Sequence, residues 1–204
     1  MGKYIFNATN RIAEEFEIKG VSFDVVNKSI REEVLVGFHV NNGPNIIMTF
    51  ISRDNNNDVA ARIFSLVKDV PKEKLPRVVK ACNILNKKYR FLKFYPNPYN
   101  EVTVSYDFLV ESGDDYIGKM AFELLIRTIQ ILNNDYQVFT KALYTNEKLQ
   151  DEDEDFDPNE EPRDKDEGTD EVSSDFLRRM KAHRDALEGI WRRSAFVDAD
   201  VADE

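Results

Sequence analysis

The tightest constraint on this chain lies at residues 101–111. Val102, Val104, Tyr106, Phe108 and Val110 alternate with Glu101, Thr103, Ser105, Asp107 and Glu111. A period of two sends one set to a core and the other to water, as in an antiparallel sheet with one covered face. The preceding Pro96-Asn97-Pro98-Tyr99-Asn100 holds two prolines, which stop a strand and make a turn. Phe91–Tyr95 is then the first arm of a hairpin. A helix is expected on each side of it. Asp69-Val70-Pro71 opens the first, because proline suits a first helical turn. Leu75, Val78, Val79, Ala81, Cys82 and Leu85 form its apolar stripe, and Asn86 near its end is a reasonable cap. The second is expected over Asp114–Lys148. Its middle, Ala121–Leu132, is apolar on more than one side, so it must be covered twice. The sheet can take one side. The N-terminal helix, a second subunit, or both must take the other.

The chain before Pro71 supplies the remaining elements. Ile5, Ala8, Ile12 and Phe16 recur at helical spacing over residues 4–17, and Gly20 is a plausible stop. Phe23–Val26 reads as a strand. Val34, Val36, Phe38 and Val40 alternate with Leu35, Gly37 and His39 and make a second strand with one wetter face. Asn41-Asn42-Gly43-Pro44 is turn chemistry, and Ile46–Ile51 is the partner strand, apolar on both faces. Residues 60–67 fit either a strand, with Phe64 and Leu66 on one face, or a short helix. The expected fold is α+β, in the order α-β-β-β-(β)-α-β-β-α, an antiparallel sheet packed by helices over residues 1–149.

Charge separates this unit from the C-terminal quarter of the chain. Residues 1–148 carry 20 Lys/Arg and 18 Asp/Glu, whereas residues 149–204 carry 8 and 20. Residues 150–173 hold few large apolar groups and many acids, a composition that cannot offset its ordering entropy, so a disordered linker is expected. At 174–193 a helical pattern returns. Ser174 suits an N-cap. Phe176, Met180, His183, Leu187, Ile190 and Trp191 lie on one stripe, with Arg178, Arg179, Lys181 and Arg184 facing away. A lone helix of this length is marginal in water, so its stripe of Phe176, Met180, Leu187, Ile190 and Trp191 is expected to dock on its own domain or on a partner. Residues 194–204 form an acidic end.

The residues point away from most reactions. Glycine-rich phosphate loops, CxxC and HExxH are all absent. The two histidines, His39 and His183, have no third nitrogen or sulfur ligand at metal spacing, so no metal or cofactor is expected. Cys82 lies on an apolar helical stripe, where a thiol acts as a small core residue rather than as a nucleophile paired with His39. Asp107/Glu111 and Asp114/Asp115 read more simply as a solvated strand face and a helix N-terminus than as an acid–base pair. Lys87, Lys88, Arg90 and Lys93 interleave with Tyr89, Phe91 and Phe94. Near-neutral charge over 1–148 argues against nucleic acid there; instead this basic corner is expected to receive the chain's own acidic linker. No run approaches the length of a membrane span. The lone cysteine cannot form an internal disulfide and the N-terminus lacks the order of a secretory signal, so a cytoplasmic location is expected.

The helix end Ala81-Cys82-Asn83-Ile84-Leu85-Asn86, the aromatic strand Tyr89–Phe94 and the alternating strand Glu101–Val110, in this order of elements, resemble the YbjN domain family over about residues 4–145. That family shares the fold of type III secretion chaperones. The resemblance implies a non-enzymatic, often dimeric module of regulatory type, and its chaperone relatives are small acidic homodimers that bind extended protein segments. The expectation is a homodimeric protein- or peptide-binding module, chaperone-like or a regulatory adaptor. A small-molecule sensor or enzyme with a pocket between sheet and helices is the alternative.

Overall fold

A computed structural model describes residues 3–53, 58–108 and 116–149. The order is α1 (Asn7–Ile18), β1 (Asp24–Lys28), β2 (Arg31–His39), β3 (Asn45–Ser52), β4 (Val59–Val67), α2 (Leu75–Lys88), β5 (Lys93–Pro96), β6 (Val102–Phe108), α3 (Ile117–Asp135) and α4 (Gln137–Tyr144). The fold is α+β, as the periodicities predict. All strand pairs are antiparallel, in the order β1-β2-β3-β4-β6-β5.

One face of the sheet makes the core. Val34, Val36 and Phe38 of β2 share it with Met48 and Phe50 of β3, Ala61 and Ile63 of β4, Phe94 of β5, and Val102, Val104 and Phe108 of β6. Ile12 and Phe16 of α1, Cys82 and Leu85 of α2, Leu125 and Ile129 of α3 and Phe139 of α4 complete it. Phe16 meets Phe50 edge to face at 5.6 Å, and Phe94 lies 6.2 Å from Phe139. Gly20 ends α1 as expected: its φ is +68°, and Val21 N–H reaches back to Phe16 O at 2.8 Å, a left-handed cap.

α3 is covered on two sides. Its exposed residues, Lys119, Glu123, Arg127, Gln130 and Asn134, fall on one narrow stripe. The second apolar side is taken by α1. A Cβ built on Gly118 would lie 2.5 Å from Arg11 O and 2.7 Å from Glu15 Cβ, so the two backbones meet there. That contact supplies the second cover without another subunit.

Several expectations need correction. The segment 60–67 is a strand, and a register shift between Ile63 and Val67 breaks its alternation. Leu66 and Val67 both enter the core, while Phe64 is exposed on the far face. The first hairpin-flanking helix begins at Leu75, not Pro71. Asp69 takes φ +50° and Val70 N–H bonds Asn100 O at 3.1 Å, which ties this stretch to the hairpin turn; Pro76 fills the first-turn role instead. Asn86 is no cap. It sits inside α2, and its side chain accepts from Phe94 N–H at 2.7 Å and donates to Phe94 O at 2.8 Å. Ile5 stands outside α1 and is exposed. The long final helix breaks at Tyr136, which lets α4 turn toward α2 and bring Phe139 onto Phe94.

Candidate functional site

The sheet has a second face, on which none of the described helices packs. Register defines it. Asp24, Leu35, Thr49, Arg62, Ser105 and Lys93 succeed one another across the six strands. Beside them run Val26, Glu33, Ile51, Ala60 and Asp107. On the other side Gly37 opposes Ile47 and Thr103 opposes Tyr95. Thr103 Oγ1 donates to Phe64 O at 2.9 Å, which sets Phe64 between β3 and β6. Ile47, Phe64 and Tyr95 are 36%, 50% and 42% exposed. They form an apolar row across the sheet, with half-buried Leu35 and Gly37 at its β2 end. Thr103, 4% exposed, stands in the row between Phe64 and Tyr95, and Glu33, Thr49 and Ile51 of this face are likewise buried although Ile51 lies outside the core cluster.

Polar groups frame the row. The Arg62 guanidinium donates to Ala61 O at 2.9 Å and Tyr106 O at 3.2 Å and pairs with Asp107, so it lies flat across β4 and β6. Glu33 is held by Lys28 at 3.0 Å and Arg31 at 2.6 Å. Arg62, Asp107 and Glu33 are thus already paired. Around the row the face offers apolar contact, these fixed dipoles and the exposed Lys93 at its β5 edge.

The candidates expected from sequence fall at separate places. Lys87, Lys88, Arg90 and Lys93 are exposed where α2 runs into β5. Lys88 Nζ lies 3.2 Å from Asp135, which Tyr89 Oη also bonds, so α3 engages this charge. Lys93 continues the corner onto the second sheet face. Phe176, Met180, Leu187, Ile190 and Trp191 lie outside the described residues, as do Glu111, Asp114 and Asp115. Asp107 is two-thirds exposed and ion-paired. His39 ends β2 beside Asn45, 3.1 Å from its Oδ1. Cys82 is buried in α2. Among the described residues, no group of three His, Cys, Asp or Glu side chains converges as a metal site, and no helix is long and apolar enough to cross a membrane.

Burial pushes the Cys82 thiol from 9.0 up to about 12. Thiol reagents at neutral pH should therefore react with the native protein about a thousandfold more slowly than with the urea-unfolded chain, from the thiolate fraction alone. Because Cys82 is the one cysteine, the measurement is unambiguous; fast native reaction would contradict its burial. The same shift fixes a sign for stability. The unfolded thiol ionises above pH 9 while the folded thiol stays protonated, so this group lowers stability as pH rises from 9 toward 12.

Sequence reasoning allowed for a partly exposed sheet face but did not single out Ile47, Phe64 and Tyr95 on it. The available signal was apolar residues at outward positions: Leu35 and Ile47 on paired strands, and Tyr95 opposite Thr103. Phe64 follows from alternation opposite Ala61 and Ile63, whereas Leu66 could not be placed without the bulge. Compared with known proteins, the chain matches no family model and no curated sequence.

Proposed function

We propose that this protein is a non-enzymatic polypeptide-binding module whose second sheet face receives a segment of another protein. One observation carries the reading: the exposed row Ile47–Phe64–Tyr95, on a face that no described helix covers. Contiguous exposed apolar surface rimmed by polar groups marks interaction sites. A bound segment would lay apolar side chains on the row and find orienting groups in Arg62, Asp107 and Lys93 at its margins. Binding by apolar complementarity suits a chaperone-like protein or a regulatory adaptor. The resemblance of Asn83–Asn86 and the strand after it to the YbjN domain family supports the same class, and the lone cysteine suits a cytoplasmic setting for it.

The alternative, a ligand pocket between sheet and helices, has no observation behind it. That space is filled by Phe16, Phe50, Phe94, Phe139, Met48, Leu66, Leu85 and Leu125, all fully buried. The homodimer expectation drew on the surplus apolar side of the last helix. With α1 on that side, binding of a partner segment does not require a second copy.

Selection of displayed random peptides on the immobilised full chain tests the reading. Enriched peptides should be amphipathic or apolar and extended, and Ile47→Glu or Phe64→Glu should weaken their titrated binding by about tenfold or more, the scale of a lost interface anchor. Both positions are exposed, so folding should survive. No enrichment, or binders indifferent to both changes, would reject this face as the binding surface.

A further inference from the structure

We infer that the chain's own residues 174–193 dock on this second sheet face, so that the protein carries a built-in occupant for the surface its partner uses. The inference rests on reading that face as a polypeptide-binding surface. Three observations select this occupant.

The first is reach. The described chain runs to Leu149, which is buried in the core. Arg77 of α2 fixes the approach to it, donating to Ala142 O at 3.1 Å, Lys141 O at 3.3 Å and Glu147 O at 2.7 Å. α4, which precedes this stretch, lies over the edge strand β5, where Phe139 meets Phe94 at 6.2 Å, and we place the chain's exit on that side. Residues 150–173 then span roughly 25–30 Å if flexible. That distance rounds one edge strand and enters the second face where Tyr95 and Phe64 lie.

The second is fit. From Phe176 to Trp191 a helix is about 22 Å long. From β2 to β5 the row crosses four strand spacings, about 19 Å. The stripe of Phe176, Met180, Leu187, Ile190 and Trp191 matches the row in length and in chemistry, and the arginines and Lys181 of the opposite side stay in water.

The third is charge. On this route the acid-rich 150–173 passes the β5 edge, where Lys87, Arg90 and Lys93 are exposed beside the Asp135-bound Lys88. Lys93 stands on the second face itself. Opposite charges at the point of entry guide the segment toward the face and make its docking weaken as salt rises.

Tethering makes the contact intramolecular, with an effective concentration of about a millimolar for a linker that spans the gap. A partner segment must then outcompete the tail, which sets a threshold for binding.

Trp191 is the one tryptophan, and it reports the docking directly in the full chain. Its emission should be blue-shifted and its quenching by acrylamide several-fold below that of the urea-unfolded chain. Hundredfold dilution in the micromolar range should change neither, since the contact is in cis. Phe64→Glu and Ile47→Glu should each shift the emission red and raise quenching toward the unfolded value, with far-UV circular dichroism unchanged. A solvent-like Trp191 in the wild type would overturn the inference. So would protection lost on dilution, which means docking between copies, or protection indifferent to both substitutions. Should either glutamate variant fail to fold, the pair Phe64→Cys and Leu187→Cys decides: an intrachain disulfide on mild oxidation supports docking, and its absence overturns it. These outcomes are separate from peptide selection. A solvent-like Trp191 alongside enriched peptides sensitive to Ile47→Glu removes the tail from the face and keeps the face as a binding site.

Discussion

Gly118→Leu is expected to destabilise the protein by about 3 kcal/mol or more, the upper range for overpacking a fitted interior. For a domain of this size that lowers the melting temperature by roughly 6–12 °C. The neighbours decide the magnitude. A Cβ at Gly118 meets Arg11 O at 2.5 Å and Glu15 Cβ at 2.7 Å. Arg11 O is main chain in the middle of α1 and cannot swing aside as a side-chain tip can. The two helices must separate, and Ile12 and Phe16, both fully buried, move with α1. Gly118→Ala is the sharper test. In the first turn of a helix alanine is still favoured over glycine, by less than the about 1 kcal/mol of an interior position, so an uncrowded site would gain a little stability. Here it should lose it. An alanine variant that melts at or above the wild type, by calorimetry or circular dichroism, would show that α1 and α3 do not meet so closely.

The same contact explains why the sequence left a second subunit open. Ala121–Leu132 is visibly too apolar for one-sided burial, but hydrophobic surface does not name what covers it. The close approach is encoded by a single glycine at the start of the helix, where it reads as nothing more than a weak helix former. Elsewhere the pattern was sufficient. Val34, Val36 and Phe38, and Val102, Val104 and Phe108, are buried in the order their alternation predicts, because a strand with one covered face has no other way to place them. Gly20 stops α1 because only glycine takes φ +68° without cost.

Where local rules failed, a distant partner had intervened. Asn86 reads as a helix end from its neighbours alone. It stays helical because its carboxamide pairs with both main-chain groups of Phe94, replacing the strand that the β5 edge lacks. The bulge in β4 follows Ile63 and turns Leu66 into the core beside Val67, while Phe64 stays outward by plain alternation with Ala61 and Ile63. The proposed binding row was half legible: an apolar residue at an outward strand position is visible in the sequence, but whether anything covers it is a tertiary fact.

Glu32 carries the second large expected effect. By strand parity it points to the same side as Val34 and Val36, an acid aimed at a core. It opposes Ser52 and is 1% exposed. Its two oxygens accept from Ile5 N–H and Phe6 N–H, each at 3.0 Å. Phe6 precedes α1 as its N-cap residue and offers no side-chain cap. The carboxylate of β2 thus does from the sheet what a capping side chain does locally, and its charge also suits the positive end of the helix dipole. Hydrogen bonds to a charged group contribute about 1.5–3 kcal/mol each. Part of that is spent in burying the charge, so Glu32→Ala should cost about 3 kcal/mol, with two backbone donors left unpaired. Glu32→Gln keeps the shape and one acceptor. Its amide nitrogen, however, confronts the second N–H with another donor. It should therefore recover only part of the loss. This ordering, wild type above glutamine above alanine in urea midpoint, separates a carboxylate cap from simple packing. If packing alone mattered, glutamine would match the wild type, and the anchoring of α1 to β2 would rest on Ile12 and Phe16 alone.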